Sequence, residues 1–122
     1  MLTEAQKQVI NNFAKSGIIR GGELLLTREY ILQFIDDLAA VNAIIYGCSD
    51  WRYVDYAKYP DLIMEIVGGG ILVEDDIDAQ EECVNIVKGY ITNRLPDDVD
   101  FVSLIFGDGD IYNYVREIGR SL

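Results

Sequence analysis

The chain reads as a small α+β domain, rich in helix, with four to five helices around a sheet of two or three short strands. Three observations predict this. Apolar residues recur at helical spacing in several separate segments, each bounded by capping or glycine signals. Short apolar runs, Ala43-Ile44-Ile45-Tyr46 and Asp100 to Phe106, suit buried strands. Half of the 122 residues are apolar, mostly Ile, Val and Leu, and only two are proline. That composition belongs to one globular domain, 1–122, large enough to bury a core without staples. No linker, repeat or low-complexity tract divides it.

The first helix starts at Thr3, an N-cap with Gln6 three residues on as in a capping box. Gln6, Val9, Ile10 and Phe13 share one face, and Gly17 is the expected stop. Ile18 to Leu26, broken by Gly21-Gly22, reads as a connector that tucks Ile18, Leu24 and Leu26 inward. Thr27 opens the clearest helix. Tyr30, Ile31, Phe34, Ile35 and Leu38 form its apolar stripe, and Arg28, Gln33, Asp36 and Asp37 fall away from it. Asn42 ends that helix, and residues 43–46 form a short strand that closes at Gly47.

Pro60-Asp61 suits the first turn of a helix, with Leu62, Ile63, Ile66 and Val67 buried and Gly68-Gly69-Gly70 as its end. Asp75, Asp76 or Asp78 then caps a helix running to about Asn93, with Val84, Val87, Tyr90, Ile91 and Leu95 inward. Leu95-Pro96-Asp97-Asp98 is a turn before the strand at 100–106. Beyond Gly107-Asp108-Gly109-Asp110 two continuations stay open. The Asp-Gly pair suits a hairpin into a strand at 111–115. The i, i+3, i+4, i+7 spacing of Ile111, Tyr114, Val115 and Ile118 suits a helix capped by Asp110, and is preferred.

Charge is distributed unevenly. Residues 1–60 carry six Lys/Arg and seven Asp/Glu, whereas residues 61–122 carry four and fourteen, so −10 of the net −11 lies in the second half. The densest cluster is Glu74-Asp75-Asp76-Ile77-Asp78-Ala79-Gln80-Glu81-Glu82. Part of it has a structural use, since Glu81 and Glu82 complement a helix dipole. The remainder, with Asp97, Asp98, Asp100, Asp108 and Asp110, exceeds what caps require and suits a basic protein partner drawn in by long-range attraction. Residues 46–59 add a second feature. Tyr46, Trp51, Tyr53, Tyr56 and Tyr59 place five of the thirteen aromatics there, interleaved with charge, in the manner of interface anchors.

Other chemistry finds little support. The chain has no histidine, which removes Ser-His and Cys-His pairs and the usual zinc sites. No segment fits a calcium loop, and the triple glycine follows a helical pattern with no Lys beside it, unlike a phosphate loop. Phosphates would repel so acidic a chain, so direct nucleic-acid binding is not expected. Catalytic residues, a metal site and cofactors are therefore not expected, and the chain is read as no enzyme. Its apolar stretches fall far short of the roughly 20 residues of a membrane helix. Met1-Leu2-Thr3-Glu4 lacks a secretory pattern, and Cys48 and Cys83 read as buried thiols, which together imply a cytoplasmic protein.

In overall form the chain resembles the small immunity proteins that protect bacteria from their own colicin-type, contact-dependent or polymorphic toxins. Val41-Asn42-Ala43-Ile44-Ile45-Tyr46-Gly47, then Asp50-Trp51 and Tyr59-Pro60, are similar to the layout of some of these families. The resemblance implies a stoichiometric inhibitor whose acidic face blocks the basic site of a nuclease-type toxin. Glu74, Asp75, Asp76, Asp78, Glu81 and Glu82 would supply the field. Trp51, Tyr53, Tyr56 and Tyr59 would supply anchors, so that Trp51→Ala speeds dissociation. Two alternatives stay open: a phage-encoded inhibitor or nucleic-acid mimic aimed at a host defence complex, and an uncharacterised small enzyme or ligand-binding domain.

Overall fold

The computed structural model describes residues 1–53, 64–73 and 80–121. The order of elements is α1 (Glu4–Ala14), β1 (Ile18–Arg20), β2 (Glu23–Leu25), α2 (Arg28–Ala40), β3 (Ile45–Tyr53), β4 (Met64–Leu72), α3 (Gln80–Asn93), β5 (Phe101–Phe106) and α4 (Gly109–Ser121). The fold is α+β, with a two-stranded sheet β1-β2 and a three-stranded sheet in the order β4-β3-β5, both antiparallel. Since β4 and β5 both run antiparallel to β3, α3 carries the chain from one edge to the other and packs across β3. No helix among the described residues is long and apolar enough to cross a membrane.

Local signals account for the helices. Thr3 accepts from the Gln6 N–H through its hydroxyl, and the Gln6 side chain accepts from the Thr3 N–H, closing the capping box. On α2, Ile31, Phe34, Ile35 and Leu38 are buried, while Tyr30 lies exposed at the edge of the stripe. Asn42 takes a positive φ of 63° directly after α2, a conformation asparagine tolerates. On α3 the inward residues are Val84, Val87, Tyr90 and Ile91, and Leu95 follows them into the core. The segment after Gly107 is helix. Asp108, rather than Asp110, caps it by accepting from the Asp110 N–H at 2.9 Å. Both cysteines are buried free thiols.

Three expectations are corrected. The connector at 18–26 is a hairpin in which Arg20 faces Glu23 across the two-residue turn Gly21-Gly22, with Gly21 at φ 61°. Two glycines are the cheapest residues for such a turn. Leu24 and Leu26 are buried as expected, but Ile18 is exposed. The strand expected to close at Gly47 continues to Tyr53, because glycine there lets β4 approach. A Cβ at 47 would sit 2.0 Å from the Ile71 carbonyl oxygen. The helix expected to end at Gly68-Gly69-Gly70 is strand from Met64 onward, while residues 60–63 of that expectation lie outside the described residues. Glycine opposes helix, and in β4 it accommodates an irregularity. Between the pairs Ser49↔Gly70 and Trp51↔Ile66, one residue of β3 faces three of β4.

Candidate functional site

At the end of β3 the chain leaves Trp51, Arg52 and Tyr53 beside the loop that joins α3 to β5. That loop is fixed at both ends. Leu95 and Val99 are buried, and the Arg28 guanidinium donates to the carbonyls of Leu95 and Pro96 from the first turn of α2. Asp97, Asp98 and Asp100 are thereby left exposed. Asp100 accepts the Tyr53 N–H on Oδ2 at 2.8 Å and donates its own N–H to the Trp51 carbonyl at 2.8 Å. Asp98 pairs with Arg52 at 3.5 Å. Tyr53 is 53% exposed and stands edge-on to Phe101, with ring centroids 5.4 Å apart. The result is one solvated tyrosine, its backbone held by Asp100 and its ring braced by Phe101, at a loop that exposes three aspartates. Chemically this arrangement can attract cationic groups and bury an aromatic ring.

Trp51 is placed differently from the anchor expected of it. Its ring is buried with Leu25 and Phe101, and the Arg20 guanidinium lies 6.0 Å from the ring centre. Its indole N–H donates to Ser103 Oγ at 2.9 Å, and the Ser103 hydroxyl donates to Glu23 Oε1 at 3.2 Å. Burial raises the Glu23 carboxyl above its ordinary range, against the lowering effect of the Ser103 hydroxyl. The indole therefore joins the β1-β2 hairpin to the sheet.

No family model, curated protein or solved structure matches this chain. What the site can do rests on its own geometry.

The remaining expected site residues are not brought together with Tyr53. Glu81 and Glu82 are exposed in the first turn of α3. That end of α3 lies beside the start of β3, where Gln80 Nε2 reaches the Ala43 carbonyl at 3.4 Å. A helix of 14 residues is about 20 Å long, so these glutamates sit at the opposite end of the sheet from Tyr53. Tyr56, Tyr59, Glu74, Asp75, Asp76 and Asp78 lie outside the described residues. The acid that does join Tyr53 is Asp100, with Asp98 on the neighbouring Arg52 and Asp97 exposed in the same loop. Their own signal was the density of Asp in a four-residue turn window; their proximity to Tyr53 depends on strand pairing.

A second group is internal. Asp50, in the middle of β3, is fully buried on the face covered by α3. Tyr90 donates its hydroxyl to Asp50 Oδ2 at 2.5 Å and accepts the Gly70 N–H at 3.1 Å. Asp50 Oδ1 has no hydrogen-bond partner among the described residues. Desolvation pushes the Asp50 carboxyl up, the Tyr90 hydroxyl and the charge of Arg28 draw it down, and Asp98 pushes it up further. Burial also pushes Tyr90 up to about 12, with the Asp50 contact adding to it, and pushes Cys48 up to about 12. In the sequence Asp50 is one more charge among the aromatics of residues 46–59.

Proposed function

We propose that the protein is a stoichiometric protein-binding inhibitor, an immunity protein whose acidic surface covers the basic site of a nuclease-type toxin. The observation that carries this reading is Tyr53, exposed, braced by Phe101 and held by Asp100, in a loop that also exposes Asp97 and Asp98. A rigid aromatic ring offers buried contact area at little entropic cost, and the acids around it supply attraction and register. A net charge of −11 adds the long-range field that speeds encounter with a cationic surface. The anchor and its acids come from β3 and the loop before β5, two parts of the chain about fifty residues apart.

The test is capture by the tagged chain from lysate of its own cells, washed at low and then high salt. One basic protein recovered one-to-one, weakening as salt rises, is the expected result. With that protein in hand, Tyr53→Ala should speed dissociation by about tenfold or more, the effect of a central anchor. The pair Asp97→Lys and Asp98→Lys should slow association and flatten its salt dependence. An empty capture at low salt, or rate constants untouched by all three substitutions, would overturn the reading.

A further inference from the structure

We propose that Asp50 is a proton-operated latch between α3 and the sheet: it holds α3 closed while it carries a proton, and loosens it when the proton leaves. Asp50 is fully buried, and among the described residues only one of its two oxygens has a partner, the Tyr90 hydroxyl of α3. An ionised carboxylate in that position leaves a negative oxygen in the interior with no donor among the described residues. A neutral carboxyl leaves only an uncharged O–H without an acceptor, which is far less costly.

The surroundings do not reverse this. From α3 the group facing Asp50 is Tyr90, whose ring in turn carries the Arg94 guanidinium 5.7 Å from its centre. From β3 there is the Cys48 thiol, which burial keeps protonated, and from β5 the apolar Val102 opposite. From β4 there is Gly70, whose N–H is spent on Tyr90. Arg28 favours the charged form from a distance, but its guanidinium is occupied by the Leu95 and Pro96 carbonyls. Asp98 opposes it. Desolvation outweighs the attraction, so the direction is upward.

The sign follows from linkage. A carboxyl that holds its proton more tightly in the folded state adds stability that is fully present below the ordinary carboxylate range. That stability is lost as pH rises through the folded-state midpoint. The loss falls on α3, because that helix covers Asp50: undocking it returns the carboxylate to water, a gain that outweighs the Tyr90 hydrogen bond given up. Each unit by which Asp50 is raised corresponds to about a tenfold change in the docking equilibrium.

The experiment uses the whole chain and two readouts. Carboxyl carbon NMR should show Asp50 titrating above the free-carboxyl value of about 3.9. Amide exchange, corrected for intrinsic rates, should show α3 protection falling about tenfold per unit of that shift between about pH 4 and about pH 8. Asp50→Asn, neutral at every pH, should remove that fall. Tyr90→Phe, which deletes the one donor favouring the charge, should move the Asp50 midpoint higher and expose the Gly70 amide. An Asp50 carboxyl titrating in the ordinary range would overturn the proposal. So would α3 protection with the same pH course in Asp50→Asn as in the parent. Because the carboxyl titration is read on the parent chain, the proposal stays open to refutation even if neither variant folds.

Discussion

Gly70→Ala is expected to remove about 3 kcal/mol or more of folding stability, while Gly89→Ala, one methyl added elsewhere in the same molecule, should add about 0.5–1 kcal/mol. Gly70 takes φ 110°, a backbone state in which an L side chain is strained whatever space surrounds it. A Cβ there would also lie 2.2 Å from the Cys48 carbonyl oxygen, so β4 would have to leave β3. The same glycine donates its N–H to Tyr90, and moving it breaks the chain that ends on buried Asp50. Gly89 has nothing within 4 Å of where its Cβ would be, in the interior of α3, so alanine brings only its better helix propensity. Urea unfolding followed by circular dichroism measures both. A loss under about 1 kcal/mol for Gly70→Ala would mean that β4 does not approach β3 as closely as described.

That pair also explains what could be read from the sequence and what could not. Thr3 with Gln6, the α2 stripe and the spacing of Ile111, Tyr114, Val115 and Ile118 are local signals, complete within one or two helical turns, and the structure bears them out. Gly68-Gly69-Gly70 is ambiguous by itself: it ends a helix as readily as it lets two strands approach. The partner that decides between these is β3, about twenty residues earlier in the chain. Gly47 follows the same rule, because its partner β4 lies about twenty-five residues further on; Gly21-Gly22 does not, because its hairpin closes locally with Arg20 facing Glu23.

The candidate site divides along the same line. Tyr53 and the Asp97, Asp98, Asp100 group are each visible as composition. Their meeting is a consequence of Trp51 pairing with Phe101, a contact between residues fifty apart. The inward side of β3 is less legible still. Alternation through Cys48, Asp50 and Arg52 looks like a polar face, yet Cys48 and Asp50 lie under α3, because a helix arriving later in the chain covers them.

Trp51→Ala is the other large effect, and it separates the buried indole from an interface anchor. Truncating a buried tryptophan typically costs about 3–5 kcal/mol. Here the cavity would open between Leu25 and Phe101, and Ser103, itself fully buried, would lose its only indole donor while still facing Glu23. Trp51→Phe keeps much of the ring but not the N–H, so its loss should include about 1 kcal/mol for the hydrogen bond plus a smaller packing term. Urea unfolding gives both values. Binding then distinguishes the two roles of an aromatic at the end of β3. Measured on the folded fraction at low temperature, Trp51→Ala should leave dissociation of a captured partner nearly unchanged, whereas Tyr53→Ala, whose ring is half in solvent, should speed it with little loss of stability. If Trp51→Ala instead left stability within about 1 kcal/mol of the parent and released the partner, the indole would have to face outward. The hairpin β1-β2 would then be held to the sheet by Leu26 and Val102, which exchange backbone hydrogen bonds of 3.0 and 2.8 Å.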